Sequence, residues 1–311
     1  MTLKQSVENP RSPLRAFFNE RLPNTRSVHK EWKQLRGTGI CIAPPVDTVV
    51  TAGGATRRYP FDEVGHAASL RLTLLFSSDV NEATRPPDRH PRTRRSWPAA
   101  KAFHAEFATA LGLGSGFDPL PADQERRLIR LCYVAGLFDQ YLRIGAFPGL
   151  PLLEVRPDAT VDELLDLLVD EACVVDLLAI VTAARSGLAP LIFPATRVVV
   201  GPTFVGSADV GGADGDLLIG GTLLELKTRL KLELQQRHLH QLVAYALLDF
   251  DDLYGISDLA MFSARHASLI CWPLDQVIEW LAGTPTDVAE LRGDLRTHLR
   301  AGDPVSQLGP V

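Results

Sequence analysis

The sequence predicts a mixed α/β fold in which a central β-sheet is flanked by helices and carries a long helical insertion. Three observations predict it. Residues 209–227 contain two short apolar runs around Gly220-Gly221, which is the pattern of a β-hairpin. Residues 98–187 read as helical almost throughout, in KAFHAEFATALGL, ADQERRLIRLCYVAGLFDQYLR and TVDELLDLLVDEACVVDLLAIVTAARSG. Beyond the hairpin, a helix from about Gln236 to Phe250 leads to LAMFSAR and SLICWPL, two runs expected to pair.

Taken in order, residues 1–36 mix Pro, Arg, Asn and Ser without period and predict a flexible basic arm. Residues 37–275 form the main domain, with the helical insertion at about 98–187, and 276–311 supply closing helices and a tail. GICIAPPV and TVVTAGG, broken by Pro44-Pro45 and Gly53-Gly54, predict short extended pieces or loops. FDEVGHAASLRLTLLF, residues 61–76, predicts a helix entered through Asp62 and Glu63. In the insertion, Thr160 is the expected N-cap and Gly187 the expected stop of one long helix. TRVVVG and TFVGSADV predict two further extended pieces ahead of the hairpin.

Composition limits the class. With 46% hydrophobic and 22% charged residues, 311 residues can bury a sizeable core. No apolar run approaches the roughly 20 residues of a membrane-spanning helix and no signal-peptide centre is visible, so the expected location is cytoplasmic. Cys41, Cys132, Cys173 and Cys271 lack CxxC spacing, which argues against a zinc ribbon or disulfide framework and for small buried side chains. Net charge is −5, but residues 1–101 carry +8 and the remainder −13. A basic third of this kind attracts polyanions or simply solvates a surface. Within it, residues 85–101 hold five arginines, one lysine and four prolines; they are read either as a phosphate-touching loop with Trp97 free to stack on a base, or as a solvated linker.

The chemistry concentrates at the hairpin. Strand periodicity puts Glu225 and Lys227 on one face and Leu224 and Leu226 on the other. Asp216, across the turn, joins them if the register brings it to the same face. Asp214 is the alternative first acid. A strand as apolar as LLELKT does not carry two charges without a use for them. Two carboxylates and a lysine are the parts of a metal-assisted phosphodiesterase: the acids, with the carbonyl of Leu226, suit one Mg²⁺ or Mn²⁺, and the lysine steadies developing charge. Gln241 and Tyr245, one turn apart on the next helix, face the hairpin. His238 and His240 point apart and are expected to be exposed. Glu171, in an apolar helix, is either a third ligand or part of an exposed stripe.

GADGDLLIGGTLLELKT followed by HQLVAYALL resembles the RecB-type branch of the PD-(D/E)xK nuclease superfamily over about forty residues. The resemblance implies a restriction-endonuclease-like core with Asp216 and Glu225 as metal ligands and Lys227 as the catalytic lysine, while Gln241 and Tyr245 support the site and the nucleic-acid backbone. It implies a Mg²⁺- or Mn²⁺-dependent deoxyribonuclease, in work such as phage defence or DNA repair, with DNA rather than RNA as substrate and a protein partner if it acts in a multi-component system. The alternative is a catalytically inactive member that binds nucleic acid or a partner protein. Members often carry a histidine four residues after a first-helix glycine; here Gly65 leads to Ser69, so His66, Glu63 and Glu171 are the candidates for the upstream ligand.

Overall fold

The computed structural model describes residues 3–24, 41–50, 54, 56–77, 88–146, 149–191 and 197–301. Two short helices, α1 (Leu3–Glu8) and α2 (Pro13–Arg21), open the chain. Ser12 caps α2 by accepting the Arg15 N–H at 3.0 Å, and Pro13 occupies the first turn, where its missing N–H leaves nothing unpaired. Leu3, Val7, Leu14, Phe17, Phe18 and Leu22 are all buried. The flexible arm expected for residues 1–36 is therefore corrected over 3–24, because six apolar side chains find a core to enter; 25–36 lie outside the described residues.

Strands β1 (Thr48–Val50) and β2 (Thr56–Arg58) pair antiparallel, more regular than the short extended pieces or loops expected, and lead into α3 (Phe61–Leu74), the helix expected there. The insertion is helical: α4 (Pro98–Gly114), α5 (Ala122–Ile144), α6 (Val161–Leu168) and α7 (Glu171–Leu188). Thr160 caps α6 in a reciprocal box with Glu163. The single helix expected over 160–187 is two helices, because Asp170 accepts the Ala172 N–H at 2.8 Å and starts α7 afresh. Gly187 does not stop α7; a Cβ there would lie 2.7 Å from the Ala267 carbonyl oxygen, so the glycine serves close packing. Contrary to the sequence reading, Glu171–Leu191 is long and apolar enough by composition to cross a membrane, but Cys173, Leu177, Ile180, Val181 and Ala184 are buried within the protein. Cys41 and Cys271, expected to be buried, are exposed.

Charge fastens the helices to one another. Arg71 of α3, wholly buried, donates twice to Glu125 of α5 at 2.7 and 3.0 Å, and Arg185 of α7 donates to the same carboxylate at 2.8 Å. Two guanidinium forks satisfy one buried carboxylate, the arrangement in which a buried charge is tolerated.

The sheet follows. It comprises β3 (Val198–Val200), β4 (Leu217–Ile219), β5 (Thr222–Lys227), and, after helix α8 (Gln236–Leu248), β6 (Asp258–Ser263) and β7 (Ser268–Pro273). Its order is β3-β4-β5-β6-β7, with only β5 and β6 parallel, joined by α8 as their crossover. The extended piece expected at TFVGSADV is instead a 3₁₀ segment, Val205–Val210. Gly220 closes the hairpin at φ +60°, backbone that a side chain would strain. α9 (Leu274–Ala282) and α10 (Val288–Arg300) close the chain. The fold is thus the expected mixed α/β sheet flanked by helices.

Alternation divides the sheet between two cores. Leu217, Leu224, Leu226 and Phe262 face the core of α3, α5 and α7. Leu218, Leu223, Leu259 and Met261 face the core of α8, α9, α10 and the N-terminal helices. Arg265, after β6, spans the layers: it donates to both oxygens of Asp176 on α7, at 2.8 and 2.6 Å, and Tyr59 donates to the same carboxylate at 2.6 Å. All three side chains are buried.

Asp176→Ala leaves the Arg265 guanidinium buried without its counter-charge and is expected to lower the unfolding free energy by about 3–5 kcal/mol, measured by denaturant titration. His240 gives a pH dependence. It stacks on Phe18 at 4.8 Å and its Nδ1 accepts from Arg15 at 2.8 Å, and burial, then the Arg15 charge, pushes its pKa down to about 4. As pH falls from about 6.5 to about 4, the unfolded chain takes a proton that the folded one refuses, so stability falls in that window, by about 3 kcal/mol for this group. His240→Phe is expected to flatten that part of the acid limb in denaturation curves recorded between those pH values.

Candidate active site

The register of the hairpin places the acids. Leu217 pairs with Leu224, so Asp216, one residue earlier, falls opposite Glu225. Glu225 and Lys227 share the face of Leu223, and Asp216 shares that of Leu218; both leucines face the α8 side. The three charged groups named from the sequence therefore converge. Lys227 Nζ donates to Glu225 Oε1 at 2.5 Å, and Asp216 Oδ2 accepts the Leu226 N–H at 2.7 Å. Leu226, expected to offer its carbonyl, contributes this N–H contact to the site.

Helix α8 covers the same face. Gln241 Nε2 donates to the Tyr245 hydroxyl at 2.8 Å, the pairing that their one-turn spacing predicts. Asp216, Gln241 and Tyr245 open together into a cleft of about 650 Å³. Across it stand His66 and Ser69 of α3 and Asp139 and Arg143 of α5. Two glycines allow that wall to approach. A Cβ at Gly65 would come within 2.8 Å of Thr228 Oγ1 at the end of β5, and one at Gly136 would come within 3.2 Å of the His66 Cβ.

Of the three candidates for an upstream ligand, His66 alone lines the cleft. Glu63 pairs with Arg57 at 2.9 Å. Glu171 is exposed at the start of α7 and pairs with Arg126, which decides for the exposed-stripe alternative. Asp214 also borders the cleft, but 4.0 Å from Arg143 and not opposite Glu225. Asp139 and Arg143 were missed from the sequence. Their signal was an acid and a base at i and i+4 just after the apolar stretch Leu131–Phe138 of that helix; in the structure they lie 2.9 Å apart. Lys4 of α1 also reaches the cleft, invisible as long as that segment is read as an arm.

Three expectations are corrected. His238 and His240 are buried, not exposed, because the N-terminal helices pack over the first turn of α8. Burial, followed by the charge of Lys227, pushes the His238 pKa down to about 3. Trp97 is fully buried against Phe138, with ring centroids 5.4 Å apart, so it is not free to stack on a base.

Electrostatics shape what the site accepts. Glu225 is 5% exposed and adjoins the cleft through its neighbours rather than lining it. Burial and then the charge of Glu225 push the Asp216 carboxyl up to about 7. The Tyr245 hydroxyl is likewise raised by burial and by Glu225, so it stays protonated while accepting from Gln241. Two carboxylates beside one lysine leave the spot short of positive charge. A shortage of this kind suits a hard divalent cation with oxygen ligands and retained waters, and Asp216 and Glu225 are the carboxylates that could hold one. Among the described residues no group of three His, Cys, Asp or Glu is close enough to hold a metal between them.

Between the ordinary carboxylate value of 3.8 and about 7, folded Asp216 keeps a proton that the unfolded chain has released, so stability falls as pH rises through this window. Asp216→Asn is expected to remove that cost and raise stability at pH 8 in chelator-containing buffer, by roughly 1–2 kcal/mol after screening, read from denaturant midpoints. Comparison with known proteins gives no relative: no family model matches the chain, and no curated protein or solved structure does.

Proposed function

We propose that the chain is a metal-dependent nuclease that hydrolyses phosphodiester bonds of DNA. The observation that carries the reading is the convergence of Asp216, Glu225 and Lys227 on one face of the hairpin, with Asp216 opening into the cleft bordered by Gln241 and Tyr245 and the Glu225–Lys227 pair directly behind it. Asp216 and Glu225 are the groups that would hold Mg²⁺ or Mn²⁺. Such an ion, when bound, supplies Lewis acidity toward a phosphoryl oxygen and lowers the pKa of a coordinated water. Lys227, steadied by Glu225, sets a positive charge beside the carboxylates where negative charge develops on the phosphate. The Tyr245 hydroxyl keeps its proton and can donate a hydrogen bond to a phosphate oxygen, with Gln241 fixing the position of the hydroxyl oxygen.

The second reading, a nucleic-acid or protein binder without catalysis, has its own support. Lys227 is already engaged by Glu225, and no third ligand joins the two acids among the described residues. One assay separates the two. Linear, circular and single-stranded DNA are incubated with the protein in Mg²⁺ or Mn²⁺, alongside Asp216→Ala and Lys227→Ala. The nuclease reading expects metal-dependent cleavage that chelator abolishes and that each substitution reduces by about 10²-fold or more. Cleavage undiminished in both variants overturns the site; binding without cleavage in the unaltered protein favours the second reading.

A further inference from the structure

Residues 88–97 stand apart from the helical insertion that follows them in how their charges are used. Every arginine from 98 to 188 is spent on an acid: Arg126 on Glu171, Arg127 on Glu106 and Asp162, Arg130 on Asp166, Arg143 on Asp139, Arg156 on Glu163 and Arg185 on Glu125. In 88–97, Arg89, Arg92, Arg94 and Arg95 are all exposed, and among the described residues only Arg92 has an acid nearby, Glu154 at 3.5 Å.

The turn that carries them is held in one shape. Arg89 bridges to Ser96, the His90 N–H donates to the Arg95 carbonyl at 2.9 Å, and the Trp97 N–H donates to the Asp88 carbonyl at 3.0 Å. His90 is buried beneath it; its Nδ1 accepts the N–H groups of Arg92 and Thr93 at 3.2 and 3.3 Å, and its Nε2–H donates to the Val155 carbonyl at 3.0 Å. Arg94 is held at φ +58°, a conformation an arginine adopts only where its surroundings impose it. Trp97 roots the turn on Phe138, the residue before the cleft-lining Asp139 of α5.

A rigid loop that presents unpaired guanidiniums loses little entropy when it meets an anion. Its only aromatic residues, His90 and Trp97, are buried, so it offers neither a stacking platform for bases nor an apolar group to enter a bilayer. We propose that residues 88–97 form a preformed clamp for the phosphate backbone of nucleic acid, through Arg89, Arg94 and Arg95. The clamp rests on the nucleic-acid reading of the cleft, and it reads phosphates, not sequence.

The test is binding of a fluorescent duplex, and of its single strand, by the full chain in chelator, across about 50 to 200 mM salt. It compares the unaltered protein with the combined Arg89→Ala, Arg94→Gly and Arg95→Ala variant; glycine suits the positive φ at 94. The variant is expected to keep its melting temperature, to bind at least tenfold more weakly at low salt, and to lower the slope of log affinity against log salt by about 2–3. Scrambling the sequence of the duplex is expected to change nothing. Unchanged affinity and slope overturn the clamp, as does an unaltered protein that binds anionic phospholipid vesicles but no nucleic acid. The two readings fail separately. DNA cleavage by the protein with undiminished binding in the variant sinks only the clamp, whereas binding lost in the variant without cleavage by either protein sinks only the nuclease.

Discussion

The contact between Arg265 and Asp176 joins the two halves of this protein. Its guanidinium meets the carboxylate on α7 bidentately, gives its Nε–H to the Thr228 carbonyl at 2.8 Å, and reaches the Ile42 carbonyl at 2.9 Å. A buried charge is costly unless every donor and acceptor around it is used. Here they are used, and the partners come from the sheet, the helical layer and the segment before β1. Thr228 follows Lys227 directly, and Gly65 of α3 lies against its hydroxyl oxygen. The same ion pair that locks the layers therefore fixes the end of β5, from which Lys227 projects, and the approach of the helix that carries His66.

The candidate site works against this economy. Facing strand positions bring Asp216 and Glu225 together with one lysine, which is held by Glu225, and burial forces one proton to remain until about pH 7. Such crowding is an electrostatic cost that apolar residues at the same positions would not incur. Under the proposed nuclease function this crowding is preorganisation: the fold would hold the two carboxylates together ahead of a cation rather than let them move apart. The cleft wall repeats the theme at lower cost, since Arg143 lies within ion-pair reach of both Asp139, at 2.9 Å, and Asp214, at 4.0 Å.

The N-terminal helices show how local and global signals part company. Residues 3–22 have a cap at Ser12 and apolar residues at helical spacing, yet Pro, Asn and Arg around them suggest an arm. Helices of 6 and 9 residues are too short to hold themselves in water; they persist because α1 and α2 lie on α8 and α10. Once they lie there, His238 and His240 are covered, Phe18 gains a stacking partner, and Lys4 reaches the cleft. None of these consequences has a sequence signal of its own.

What the sequence determined by itself was local and periodic. The Gly220-Gly221 turn, the two-residue alternation that sets Glu225 and Lys227 on one face, the one-turn spacing of Gln241 and Tyr245, and the Thr160 cap each follow from short-range geometry. The tertiary structure decided everything that needs two distant segments. It chose the register that puts Asp216 opposite Glu225, selected His66 over Glu63 and Glu171 as the cleft residue, and buried Trp97 beneath a turn of arginines. The physical reason is that a side chain's role depends on which surface its element buries. That choice is made by packing across the whole chain, through contacts such as Arg265 with Asp176, whose partners lie 89 residues apart.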